Sequence, residues 1–111
     1  MARRLTGLLS ALAVLATSSA SADEWPKAWI SRLPDSAFAV VENSPGGRKL
    51  RHLPHHDETG AVDPAHLKVA LARLSQVKWL DPANEAVARH HLEQHALEAR
   101  EAANATRSSR R

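Results

Sequence analysis

"VDPAHLKVALARLSQV", residues 62–77, decides how this chain folds. Leu67, Ala70, Leu71, Leu74 and Val77 recur at intervals of three and four, which places them on one stripe of an α-helix. Just ahead of that stripe, Asp63 has the side chain of a helix N-cap. Pro64 follows at the first helical position, where the N–H that proline lacks has no intrahelical acceptor anyway. Val62 is placed to staple onto Leu67. The same opening returns at Asp81-Pro82, and it predicts a second helix from Pro82 to about Ala103. That helix has an alanine-rich face, with Glu85–Arg89 and Arg89–Glu93 pairs on the opposite, wet side. Beyond their first residues the two segments share little, so they are not a repeat.

Upstream the period changes. Ala37 to Glu42 is rich in β-forming residues, Asn43-Ser44-Pro45-Gly46-Gly47 is a strong turn signal, and Lys49 to Leu53 alternates basic with apolar. Together they predict a β-hairpin with a five-residue loop. Before it, Trp25, Trp29, Ile30 and Leu33 fall on one side of a short helix bounded by Pro26 and Pro34, with both tryptophans as anchors onto the core. The expected fold class is therefore α+β: a short N-terminal helix, a β-hairpin, then two packed α-helices, all in one domain over residues 23–103.

The two ends read differently from the middle. Arg3 and Arg4, the apolar run Leu5–Ala16 and the small residues Ala20-Ser21-Ala22 have the layout of a signal peptide over residues 1–22, cleaved after Ala22. The apolar run is too short to span a bilayer, so no stable membrane insertion is expected after cleavage. The expected location is periplasmic or secreted. There is no cysteine, so neither a lipidated N-terminal cysteine nor a disulfide enters the account. Losing Arg3 and Arg4 takes the 15 basic residues to 13 against 12 acids, so the high isoelectric point does not mark the domain as a nucleic-acid binder. The remaining basic bias sits in residues 104–111, which read as a disordered basic tail.

Chemistry is concentrated in the seven histidines. In "RHLPHHDETGAVDPAH" (51–66), a calcium-loop template centred on Gly60 puts His55 and His66 at its first and last positions, where calcium needs oxygen ligands; calcium is excluded. Zinc accepts imidazole. His55 and His56 are neighbours, however, and on an extended segment neighbouring side chains point to opposite sides, so no more than one of them is expected to join His52 or His66 on a single ion. In "HHLEQH" (90–95), His91 and His95 lie four apart on one helical face, as in zinc peptidases, but Leu92 stands where those enzymes need the glutamate base. That face also carries Val87, Ala88, Leu92 and Ala99, so a histidine pair buried at a contact between elements is the simpler expectation. The candidate metal set is His91, His95, His55 and His66, with zinc as the ion. No nucleophile elbow, phosphate loop or carboxylate pair stands out, and no enzyme is expected.

Two stretches, "LPDSAFAVVE" (33–42) and "RHLPHHDETGAVDPAHLKVALARLSQ" (51–76), resemble a small accessory domain encoded in phage and prophage proteins, often attached to head-maturation proteases and other structural proteins. The order Leu-Pro-Asp-Ser, Phe-Ala, Arg-His-Leu-Pro, Asp-x-x-Gly-x-Val-Asp, His-Leu and Ala-Leu-x-Arg carries the likeness, and His-Leu-Glu-x-His-Ala at 91–96 is similar to its ending. The resemblance implies no catalysis, and it implies that Arg51, His52, Pro54, Asp63 and His66 belong to the frame of the module. The expected export signal, and the expectation that no larger domain is attached, set this chain apart from the pattern. The expected function is a small exported binding protein with a protein partner; the alternative is a periplasmic metal-binding protein built on the histidines.

Overall fold

The computed structural model describes residues 25–110; the expected signal peptide, residues 1–22, lies outside the described residues. Helix α1 (Lys27–Arg32) leads through a 3-10 turn at Asp35–Ala37 into strand β1 (Phe38–Asn43), which pairs antiparallel with β2 (Lys49–Pro54). Helix α2 (Pro64–Arg73) runs into a second 3-10 turn at Leu74–Gln76, and α3 (Ala83–Ser109) completes the chain. The fold is α+β, with a two-stranded hairpin and packed helices. Among the described residues no helix is long and apolar enough to cross a membrane.

A two-stranded hairpin does not hold alone in water, and this one packs into two apolar clusters. In the larger, Leu53 of β2 meets Leu67, Ala70 and Leu74 of the α2 segment and Ala88 and Leu92 of α3, all buried. Leu33, Ala37 and Phe38 form the smaller, flanked by Trp25, Trp29, Ile30 and Val41. Six residues are too few for a stable isolated helix. α1 is pinned instead by Arg51 of β2, whose guanidinium donates to the carbonyls of Leu33 (2.6 Å), Ile30 (3.2 Å) and Ser31 (3.3 Å) and lies 4.3 Å from the centre of the Phe38 ring. Those carbonyls belong to the end of a helix, where a cation is favourable.

A buried carboxylate ties the hairpin to α3. Glu42 Oε1 accepts from the Leu80 N–H (3.0 Å) and bonds His52 Nε2 (2.9 Å), while Oε2 accepts from the Asp81 N–H (2.9 Å) and from Asn84 Nδ2 (2.8 Å). Burial alone would raise its pKa, but those four donors outweigh it and hold the carboxyl at about 2. Trp79 closes the corner edge-on against the His52 ring, 4.8 Å away.

The first Asp-Pro opening caps as expected, whereas the last helix begins at Ala83 with Pro82 in the N-cap position and Asp81 one residue further out. Asp63 accepts from the His66 N–H at 2.9 Å, and Asp81 from the Ala83 N–H at 3.0 Å. α3 differs from expectation at its far end: it continues to Ser109, through most of the stretch read as a disordered basic tail. Alanine, glutamate and arginine propagate a helix well, and no glycine or proline interrupts it. From Leu97 onward every described residue of α3 is exposed, so local propensity and helix cooperativity carry this stretch.

Candidate metal centre

The site forms where the connection after β2 meets the middle of α3. Two features mark that connection. Leu53 sits at φ 61°, a left-handed conformation uncommon for a side chain of its size, one residue before β2 ends at Pro54. The amides of His55 and His56 then both donate to the Ala37 carbonyl, at 2.9 and 3.3 Å. Two successive N–H groups on one acceptor is not extended geometry. The alternation that would send the two imidazoles to opposite sides is lost here, and both face α3.

From α3, His91 and His95 rise on one face, one turn apart. Ligand-capable nitrogens of His55, His56, His91 and His95 all lie within 4.8 Å of one another. Three are closer still: His91 Nε2 is 3.1 Å from His55 Nε2 and 3.1 Å from His95 Nε2. Four nitrogens at 2.0–2.1 Å from a tetrahedral zinc stand about 3.3 Å apart, so these two contacts have nearly the length of tetrahedral edges.

The outer ring nitrogens fix which way the lone pairs point. A carbonyl oxygen only accepts, so His55 Nδ1, 3.0 Å from the Leu53 carbonyl, carries the proton. His56 Nδ1 donates in the same way to the Gly60 carbonyl at 2.9 Å. In a neutral imidazole each bond leaves Nε2 as a lone pair, and that of His55 faces His91 Nε2 at 3.1 Å. His95 Nδ1 lies 3.4 Å from Glu98 Oε1, a carboxylate–histidine contact of the kind that orients metal ligands. Gly60 is at φ 91°, a conformation glycine supplies without strain, and the turn it closes is organised by Asp57. Asp57 Oδ1 accepts from the Thr59 N–H (2.8 Å), the Thr59 hydroxyl (2.6 Å) and the Ala61 N–H (3.2 Å).

Burial sets the charge. His55 is fully buried, and desolvation, helped by its histidine neighbours and opposed by its bond to the Leu53 carbonyl, pushes its pKa down to about 4. His91 is lowered for the same first reason, with His95 and His56 adding to it. Both rings are held neutral near pH 7, the form that binds metal.

The structure therefore brings together three of the four expected ligands, His55, His91 and His95, and adds His56. His66 is corrected out of the set. It caps with Asp63, its Nδ1 2.6 Å from Asp63 Oδ2, and its ring stacks on Trp25 at 3.5 Å and 13°. Helix α2 carries it to the face turned toward α1, away from the cluster. His52 is taken by Glu42, and His90 is exposed. The extended backbone expected to point His55 and His56 to opposite sides is not found here, and both join the group with His91 and His95. Two histidine doublets, 55–56 and 90–91, were the available signal; strand alternation obscured the first because the strand had already ended. Comparison of the chain with family models, with curated proteins and with solved structures found no match, so the site stands on its geometry.

Proposed function

We propose that this domain is a metal-binding module that takes a zinc ion on the Nε2 atoms of His55, His91 and His95, with His56 as the fourth ligand. One observation carries the reading: His91 Nε2 has two partners at 3.1 Å, and both are ring nitrogens of other histidines. A ring nitrogen holds either one proton or one lone pair, so a hydrogen bond accounts for one of these contacts well and not for both. A shared cation accounts for both. A buried histidine pair at a helix contact, the simpler sequence expectation, leaves the second contact and the convergence of His56 without a cause.

All four donors are imidazole nitrogens, which suits zinc, copper(II) and nickel(II) and disfavours calcium and magnesium. Four protein ligands make a closed shell, the pattern of structural rather than catalytic zinc. The ion would join the β2–α2 connection to α3, and this reading takes up the alternative sequence expectation, a metal-binding protein built on the histidines, ahead of the binding protein with a protein partner.

The test is metal content and thermal stability of full-length protein purified without an affinity tag. A metal bound only by the folded state stabilises by about 2.7 kcal/mol at a hundredfold excess over Kd. In a domain of this size about 1 kcal/mol moves the melting midpoint by roughly 4–8 °C. One equivalent of zinc and a rise of many degrees, both abolished by His91→Ala with His95→Ala, are expected. Protein that melts identically with and without zinc and retains none through dialysis would reject the proposal.

A further inference from the structure

The face of α2 opposite the histidine cluster holds a second site. A cavity of about 450 Å³ opens between α1, the end of β2 and α2. Ile30, Leu53, Pro54, Val69 and Ala70 give it an apolar interior. Trp25 and His66 form one wall, their rings stacked at 3.5 Å. Lys27 and Arg73 complete the lining, and both are exposed, which places them at the rim.

Two features of this cavity point the same way. Its charged lining is entirely basic: no aspartate or glutamate contributes to the wall, and among the described residues neither Lys27 nor Arg73 is paired with a carboxylate. Behind the rim the surface is apolar, so a bare inorganic anion gains nothing from it. His66, more than nine-tenths buried, is held in the wall by its Nδ1 contact with Asp63, so the stacked Trp25–His66 face is a fixed boundary of the cavity.

We infer that this cavity is a binding site for a small organic acid, with its apolar body against Ile30, Leu53, Val69 and Ala70 and its carboxylate at Lys27 and Arg73. Apolar interiors with a few convergent polar groups are the usual form of small-molecule sites. Arginine suits the head group because its planar fork matches a carboxylate. The site shares no residue with the histidine cluster, so it stands or falls independently of the metal proposal.

The probe is octanoate, titrated calorimetrically into the full chain at neutral pH, with octanol and inorganic phosphate as comparison ligands. Octanoate should bind saturably, and both comparison ligands should bind about tenfold or more weakly. Lys27→Gln with Arg73→Gln should weaken octanoate about tenfold or more and leave octanol affinity and the melting temperature unchanged. Val69→Glu, which puts a negative charge into the cavity, should abolish octanoate binding. His91→Ala with His95→Ala should leave it intact; loss there would assign the carboxylate to a bound metal and overturn the inference. Equal affinity for octanol would remove the carboxylate from recognition, equal affinity for phosphate would remove the apolar body, and absence of saturable heat would remove the site.

Discussion

Glu42 accepts the Asp81 N–H at 2.9 Å across thirty-nine positions of sequence. This one carboxylate joins the hairpin to the start of α3, and α3 in turn presents His91 and His95. Its position has a consequence in acid. The folded pKa is about 2 against an ordinary 4.5, so the proton is bound more tightly by the unfolded chain. The stabilisation is therefore fully present above about pH 4.5 and is lost as pH falls from there toward 2. Urea melts at a series of pH values should show stability falling through that window. Glu42→Gln should flatten this part of the profile; a variant profile parallel to the parent's would remove Glu42 from the acid response.

Asp63 serves two donors with one oxygen, the N–H of His66 at 2.9 Å and its Nδ1 at 2.6 Å. Asp63→Ala should cost about 1 kcal/mol for the lost cap alone, and more because His66 is then left without its partner. Asp63→Asn retains an N-cap and should cost less. Chemical denaturation of the three proteins would give the order, and an asparagine variant as unstable as the alanine one would mean that the cap is the lesser part.

Gly60→Ala forces a side chain into a left-handed conformation, at about 1–2 kcal/mol. There is open space where its Cβ would stand, so the cost is backbone strain and not a clash. The carbonyl of Gly60 also holds His56, and the same substitution should loosen that ligand. Gly60→Ala is thus expected to lower zinc affinity as well as stability, whereas Gly46→Ala, in the hairpin turn, should lower neither appreciably. Equal effects at both glycines would contradict this account.

Leu92 is fully buried between the two histidines of α3, and Leu92→Ala should cost roughly 2–5 kcal/mol. Val87, on the same helix, is 55% exposed, and Val87→Ala should stay within about 0.5 kcal/mol. Periodicity and capping made Leu67, Ala70 and Leu74 legible as core, because a helix stripe is a local property. The same reasoning grouped Val87 and Ala99 with Leu92, since a wheel gives a face without its width, and α2 covers only part of it. Glu42 was illegible for a stronger reason: its partners Leu80, Asp81 and Asn84 are distant in sequence, and no periodicity announces a carboxylate that caps another element. The pairing of His55 with His56 goes with the left-handed φ of Leu53, a conformation that sequence gives no reason to expect of leucine. Denaturation of Leu92→Ala and Val87→Ala checks the division; a large loss at Val87 would mean that this face is covered in solution.

The four histidines should not contribute equally to metal affinity. His91 Nε2 has both 3.1 Å contacts, so removing it opens two edges of the arrangement at once. His56 belongs to the group within 4.8 Å but makes neither of those close contacts, and its ring centre is 6.3 Å from that of His91. Glu98 touches only the outer nitrogen of His95, and losing such an orienting partner costs about 10–100-fold in affinity. Zinc affinities measured by competition with a chelator should therefore fall most for His91→Ala, less for His56→Ala, and least for Glu98→Gln. Cobalt(II) gives an independent readout, because a four-nitrogen tetrahedral site has intense visible absorption that weakens when water enters the shell. His56→Ala should keep the cobalt bound with a weakened band, water taking the vacant position, whereas His91→Ala should lose the ion. Identical affinities and identical spectra for these two variants would show that the ion, if bound, is not centred on His91.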